Sequence, residues 1–515
     1  MVSKVILLIV FFAIMVLVGI YSRKHATNVN DFVLGGRSVG PWLTAFAYGT
    51  SYFSAVVFVG YAGQFGYKYG MASTWIGIGN ALIGSLLAWV ILGRRTRIMS
   101  NHLSSATMPD FFGKRYASKA LRVAASAIAF IFLIPYTASV YNGLSRLFGM
   151  AFDIPYAVCV IVMAVLTGVY VILGGYMATA INDFIQGIIM LGGIIAVIGA
   201  VLNGQGGFIH AVQKLAELES DVPLTMGQKG AFTSFVGPDP LNLLGVVILT
   251  SLGTWGLPQM IHKFYAIKDE KSIQSGTIIS TFFAIVVSGG CYFLGGFGRL
   301  FDSEAIHTPK GIAFDAIIPS MLATLPDILV GVVIVLVLSA SMSTLSSLVL
   351  TSSSTLTLDF LKDNIIKNMN DKKQLLCMRI LLVFFIVLSV IIALDPPTFI
   401  AQLMGISWGA LAGAFLAPFL YGLYWKGVTK AAVWASFVSG VGITVSNMFI
   451  GFIKSPINAG AIAMIGGLIV VPIVSLISPK MKKEQVEDIF ECLEETAMVE
   501  MKTALPSEKT QQKTK

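Results

Sequence analysis

The stretch LSASMSTLSSLVLTSSSTL, residues 338–356, carries a hydroxyl on eleven of its nineteen residues, yet long apolar runs flank it on both sides. Two chemistries are open to hydroxyls in such a place. Each can donate back to a carbonyl of the preceding helical turn, and small residues let helices pack closely within a bilayer. Alternatively, a few of them turn inward as oxygen ligands of a small, hard cation. At three-or-four-residue spacing Ala340, Ser343 or Thr344, Ser347 and Thr351 fall near one helical face, which would give such ligands a common direction. Residues 352–355 are read as packing or back-bonding.

Such ligands need helices to hold them, and the composition says in which solvent. Of 515 residues 56% are hydrophobic and 12% charged, with a mean hydropathy of +0.82, far below the roughly 25% charged fraction of soluble domains. This is the composition of an integral membrane protein. Thirteen apolar stretches are readable, at about 3–22, 41–64, 72–93, 122–148, 154–173, 183–202, 241–262, 273–298, 324–352, 375–393, 399–424, 431–451 and 459–478. Most reach the ~20 residues that cross a bilayer as a helix, and none alternates like a barrel strand. The expected fold is all-α with thirteen transmembrane helices. The first stretch lacks a small-residue cleavage site and reads as a retained helix.

Basic residues cluster at 22–24, 93–97, 114–122, 262–271, 362–373, 426–430 and 479–483, which are alternate loops of that count. The positive-inside rule puts them in the cytoplasm, with the N-terminus outside and the C-terminus inside a cell membrane. The formal charge of +9 then needs no nucleic-acid partner, and anionic lipid headgroups are its counterpart. Residues 1–478 form one transmembrane domain. Residues 479–515 form a cytoplasmic tail with a short amphipathic helix at EQVEDIFECLEE and a mobile polar end.

Other chemistries find little support. Four scattered cysteines make neither a disulfide framework nor a zinc site, and no GxxxxGK[ST] loop is present for nucleotide-driven pumping. No nucleophile, base and orienter come together, so an enzyme is not expected. Two spans carry interruptions instead: Gly-Thr-Ser-Tyr at 49–52 and GTWGLP at 253–258. A backbone break at membrane depth is tolerable only where protein, water or an ion satisfies the freed carbonyls. The two breaks open successive groups of five spans, about 41–202 and 241–424, and an odd number inverts the second group relative to the first.

The segments NDFVLGGRSVGPWLTAFAYGTSYFSA (30–55), GGYMATAINDFIQGIIMLGG (174–193), GLPQMIHKFYAIKDEKSI (256–273) and MSTLSSLVLTSSSTLTLDFL (342–361) resemble the sodium/solute symporter family. The resemblance runs from about residue 5 to 478. It implies a five-plus-five inverted-repeat core with two broken helices, one helix before the core (3–22) and two after it (431–451 and 459–478). It further implies a sodium site built from the carbonyls of Thr50, Phe53 and Ala340 and the hydroxyls of Ser343 and Thr344. Asp183 matches a family aspartate that influences sodium binding or release. It equally reads as the N-cap of the sixth span. Asp31 and Arg37, in the cytoplasmic approach to the first core helix, read as a surface or gating salt bridge. For the solute the resemblance nominates Ser51, Tyr52, Ser54, Tyr136, Thr254, Trp255, Gln402, Gly405, Ser407 and Trp408.

The function implied is sodium symport of a small organic solute, with Na+ as coupling ion, no organic cofactor, no obligate protein partner and no covalent step. Tyr52 and Thr250 depart from the proline-transporter pattern, where an Asp and a Trp are expected, while TSYFSAVVFVG and the NDxxQG run resemble the pantothenate and monocarboxylate branches. A carboxylate such as pantothenate or a monocarboxylate is therefore expected ahead of proline or a sugar. No intramembrane Arg or Lys is evident as its partner, which leaves helix-break amides and the bound cation to supply positive field. A non-transporting sensor with a structural ion site is the alternative of another class.

Overall fold

The structure, a computed structural model, describes residues 2–22, 28–152, 154–309, 311–362, 364–367 and 369–493. The polar end expected to be mobile lies outside these residues. Helix α1 (Val2–Ser22) precedes a short α2 (Val29–Leu34), whose first turn is capped by Asn28 accepting from Asp31 N at 2.9 Å. Helix α3 (Pro41–Tyr52) begins on a proline, where the missing N–H costs nothing. It ends at Phe53, and the chain resumes through a π-helical turn (Val56–Tyr61) into α4 (Ala62–Tyr69). The break thus falls at Phe53 and Ser54, just beyond the Gly-Thr-Ser-Tyr run, which is itself helical.

Next come α5 (Thr74–Gly79), two π-helical stretches, α6 (Arg94–His102), α7 (Met108–Arg115), α8 (Lys119–Phe152) and α9 (Tyr156–Gly204). A turn inside α9 sits at Gly175 (φ 56°, ψ −147°), a conformation that side chains with a Cβ avoid. A Cβ there would also meet the Phe32 carbonyl oxygen at 2.8 Å. After α10 (Phe208–Glu217), α11 (Pro240–Leu252) passes through one 3₁₀ turn at Gly253–Gly256 into α12 (Pro258–Ala266), with a bend of 47°. Leu257 is extended and Pro258 opens the new helix, so the break follows from GTWGLP as expected.

The second half holds α13 (Glu270–Ala284), α14 (Gly290–Gly295), a two-residue hairpin of β1 (His307–Thr308) and β2 (Gly311–Ile312), and α15 (Ile317–Ala323). Then follow α16 (Asp327–Thr355), α17 (Asp371–Leu394), α18 (Ile400–Tyr424), α19 (Lys430–Ile450), α20 (Pro456–Ile477) and the short α21 (Lys483–Glu491). Among the described residues nine helices are long and apolar enough to cross a membrane, or up to ten if the bent pair is one span. The protein is mostly helical and multi-pass. Large apolar side chains stay exposed, as with Val383, Phe384, Val387 and Ile391 on α17 and Ile278 and Phe282 on α13. Lipid tails, not water, are the medium in which such a surface is stable.

Helix α16 sits innermost, against α9, α8 and α3, with every residue from Leu336 to Thr355 buried. That position explains why its hydroxyls form no polar face: each side of the helix meets protein. Helix α18 is similarly enclosed by α8, α19 and α20.

Two expectations follow. A Cβ at Gly66 on α4 would overlap the Gly295 carbonyl of α14, so Gly66→Ala must push these backbones apart. It should cost about 1–3 kcal/mol, read as a lowered thermal midpoint of the detergent-solubilised protein. Asp315, in the connection ahead of α15 and outside the spanning segments, has Oδ2 accepting from Ile400 N at 3.3 Å, and burial pushes its carboxyl up from 3.8 to about 6. The folded state binds that proton more tightly than the unfolded chain. Its stabilising contribution is therefore complete below pH 3.8 and is lost as pH rises through about 6. Asp315→Asn should flatten the fall in thermal midpoint across that window.

Candidate functional site

Helix α3 stops because Phe53 is extended (φ −103°, ψ 93°), and its last intrahelical bond runs from Phe53 N to Gly49 O at 3.1 Å. The carbonyls of Thr50, Ser51, Tyr52 and Phe53 lose the donors that a continuing helix would supply. Unsatisfied and buried, each would cost roughly 1–3 kcal/mol. Helix α16 answers this. Thr344 Oγ1 lies 3.2 Å from Thr50 O, 3.4 Å from Ser51 O and 3.1 Å from Ala340 O of its own helix. A single hydroxyl proton cannot serve three carbonyls, so the cluster holds more acceptor oxygen than donor.

Beside it, Ser343 Oγ is fully buried, faces Asp183 and has no partner at hydrogen-bonding geometry. Such a set of neutral oxygens fits a hard monovalent cation better than a transition metal. Among the described residues no group of three His, Cys, Asp or Glu could hold a metal. The structure thus brings Thr50, Ala340 and Thr344 together, adds the Ser51 carbonyl, turns the Ser343 hydroxyl toward Asp183 and puts Phe53 at the break itself. The Thr50 hydroxyl is spent on Phe46 O at 2.8 Å.

Asp183 does not cap a helix. It lies well inside α9, eight residues beyond the Gly175 turn, and is fully buried. Its neighbour is Lys263 of α12, whose Nζ is 3.8 Å from Asp183 Oδ2 and donates to Ser347 Oγ at 2.9 Å. Ser347 Oγ in turn lies 2.7 Å from Ser51 Oγ, and Lys263 Nζ is 5.3 Å from the Tyr176 ring centre. The sequence makes no intramembrane Arg or Lys evident as partner of a solute carboxylate; the structure buries Lys263, with the protein's own Asp183 as its neighbouring carboxylate. Lys263 falls within the segment 262–271 that reads as cytoplasmic, but it is 2% exposed. The usable signal is its distance from the break: Lys263 is the sixth residue of a helix that starts at Pro258, about 8 Å along the axis. That is too short a run to clear a membrane from mid-depth.

The aromatic candidates gather. Tyr52 stacks on Phe53 and Trp408 at 4.3 and 5.8 Å between ring centres, and Tyr136 meets Trp408 edge-on at 5.7 Å. The Tyr52 hydroxyl donates to Thr250 O, so the two positions that depart from the proline pattern touch each other. Tyr136 OH and Trp408 Nε1 are buried without a partner at hydrogen-bonding geometry.

Other nominated residues are engaged elsewhere. Ser54 accepts from Val56 N at 3.1 Å and caps the resumed helix. Thr254 Oγ1 lies 2.9 Å from Ser251 O and 3.3 Å from Gly84 O, and Trp255 Nε1 donates to Ile83 O at 3.0 Å, so both residues set the second break against the stretch after α5. Gly405 faces Ile457 of α20, and Ser407 donates to Phe132 O of α8. Gln402 is bonded to Thr398 and lines a cavity of about 410 Å³ with Gln64, Lys68, Arg299 and Asn458.

Arg37 donates to Ser100 Oγ at 3.1 Å, to Tyr265 O at 3.2 Å and to the Ser105 carbonyl. With Arg97, which donates to Ile267 O at 2.5 Å, it ties the end of α12 to the segments around α6. These bonds hold Arg37 in a left-handed backbone conformation (φ 55°) that a side-chain-bearing residue rarely adopts. Asp31 accepts from Asn28 Nδ2 at 2.6 Å. Carbonyl binding, rather than charge pairing alone, is thus the main work of Arg37.

Known transporters are similar to this chain in sequence and in fold. The sodium/proline symporters of Staphylococcus aureus strains JH9 and COL are each 30% identical over 496 residues, covering 93% of this chain and 93% of theirs. A Na+-coupled sialic acid symporter, solved in a substrate-bound outward-open state, superposes with a TM-score of 0.74 at 16% identity, over 93% of this chain and 99% of that one. Mhp1, a nucleobase-cation-symport-1 family transporter, superposes with a TM-score of 0.50 at 13% identity over 89% and 97%. The fold is thus that of these transporters. Residues 32–440 match the family described as sodium:solute symporter, and the chain belongs to that family.

Proposed function

We propose that this symporter imports a small organic carboxylate with sodium by alternating access, through thirteen crossings arranged as two inverted five-helix repeats with one helix before them and two after. The N-terminus is outside the cell membrane and the C-terminus inside. The observation that carries the ion assignment is the surplus of acceptor oxygen around Thr344, where Thr50, Ser51 and Ala340 carbonyls converge on one proton. Sodium bound by Thr50, Phe53, Ala340, Ser343 and Thr344 would tie α3 to α16. Each sodium moving inward contributes about 2.3 kcal/mol per 100 mV of membrane potential.

The solute reading rests on the Tyr52, Tyr136 and Trp408 cluster, whose two unpartnered polar tips can donate to an acceptor oxygen. Pantothenate and short monocarboxylates fit it, with Tyr52 sealed onto Thr250 where the proline pattern has other residues. Proline symport is the second reading, favoured by the names of the relatives at 30% identity. A sensor would bind solute without concentrating it.

Replacing Ser343 and Thr344 together by Ala removes two ion ligands while leaving the carbonyls in place. Hydrogen bonds to charged groups are worth about 1.5–3 kcal/mol. Two such contacts make about 3–6 kcal/mol, so the sodium concentration for half-maximal uptake should rise at least about a hundredfold at equal membrane abundance. Wild-type sodium dependence in that variant would remove the site.

In proteoliposomes with an imposed sodium gradient, pantothenate, short monocarboxylates, proline and neutral sugars can be compared directly. Accumulation of carboxylates ahead of sugars is expected. Uptake of sugars alone would overturn the carboxylate assignment, and verified binding with no accumulation of any solute would favour the sensor.

A further inference from the structure

The sodium reading uses Ser343 and Thr344 but leaves the next turn of α16 without a role. Ser347 lies about 6 Å further along the helix axis, toward the end that leads into the basic segment 362–373, the cytoplasmic end by the positive-inside rule. At this level four elements meet. Ser347 of α16 accepts from Lys263 of α12 at 2.9 Å and bonds Ser51 of α3 at 2.7 Å. Asp183 of α9 faces the ammonium at 3.8 Å. All four residues are 3% exposed or less. In the proposed orientation α3 and α12 are the inner halves of the two broken helices, so one ammonium joins both of them to the rest of the core.

An ammonium only donates, so Ser347 Oγ accepts from Lys263, and the same hydroxyl shares a hydrogen bond with Ser51 Oγ at 2.7 Å. The bonded set Lys263, Ser347 and Ser51 thus includes the residue whose carbonyl faces Thr344 at 3.4 Å. Occupancy of the ion site and the seating of Lys263 act on one turn of α3.

We propose that Lys263 is the inner gate of the sodium site, an inference that rests on the sodium reading above. The residue closes the ion's inward exit twice. Its side chain fills the buried space one turn inward of the ion ligands, and its charge repels a cation across a medium of low dielectric. Asp183 holds the gate shut as the ammonium's counter-ion. When α12 and α3 move away from α9 and α16, the ion pair and the hydroxyl bonds break together. The departing sodium then takes the place of Lys263 beside Asp183, so the buried carboxylate keeps a counter-charge throughout. Ammonium and sodium are alternative partners of Asp183, and the exit opens only when one replaces the other.

The test is sodium flux in the absence of solute, measured with radiolabelled sodium in proteoliposomes at equal protein density. Wild-type protein should hold the gradient. Lys263→Met, which keeps length and loses charge, should pass sodium several-fold faster and lose concentrative uptake of whichever carboxylate the wild type accumulates. Lys263→Arg should restore both, which a merely structural role would not require. Ser347→Ala should leak to an intermediate degree. If Lys263→Met fails to fold because Asp183 is left bare, the double variant Lys263→Met with Asp183→Asn removes both charges and should still leak. The proposal is overturned if Lys263→Met or the double variant is as tight to sodium as wild type with its coupling intact. A wild type showing no sodium-dependent uptake would instead overturn the sodium reading, and the gate with it.

Discussion

A carbonyl released inside a bilayer has no water to turn to, and that constraint organises the centre of this molecule. Breaking α3 at Phe53 frees four carbonyls, and the structure meets them with side chains from elsewhere in the chain. Thr344 reaches Thr50 and Ser51, while Ser54 caps the helix beyond the break. At the second break the arrangement differs: Tyr52 OH donates to Thr250 O and Thr254 Oγ1 to Ser251 O, one donor to each carbonyl. At the first break the one Thr344 hydroxyl proton faces three carbonyls.

The same economy governs charge. A buried ion pair is weak evidence for stability, because desolvation offsets most of its attraction, while breaking one partner typically costs about 3–5 kcal/mol. Neither Lys263 nor Asp183, both buried and 3.8 Å apart, is cheap to leave bare in an apolar medium, so each is the other's counter-charge.

Much of this is legible in the sequence, for physical reasons that also set its limits. The apolar stretches follow from hydropathy, and the second break from Gly and Pro at 253–258, which change backbone freedom wherever they occur. The hydroxyls at Ser343 and Thr344 stand out because the runs around them are apolar. Lys263 is hard to single out because charge at the edge of an apolar stretch looks the same whether it points to water or inward. Asp183 is open to a capping role because the chain's turn is made eight residues earlier, at Gly175, and a Gly-Gly pair beside an apolar run marks close helix packing as readily as a restart. Gly405, Ser407 and Trp408 lie on a helix buried on every side, so no polar face tells which of them packs on α20, which bonds α8 and which joins the Tyr136 cluster.

The two ends of the broken helices are held by unlike forces. Beyond the first break, α4 meets α14 backbone to backbone at Gly66 and Gly295, a contact of dispersion and shape that no change of charge or proton can weaken. Before it, α3 is joined to its neighbours through Ser51, Ser347 and Lys263, by hydrogen bonds one of which comes from a charged donor. Packed glycines resist separation at any ion occupancy, whereas a chain of directed polar bonds can exchange its cation for another and let go. If one end of these helices yields during transport, it is the end built from hydrogen bonds, and the carbonyl cluster around Thr344 lies at the boundary between the two.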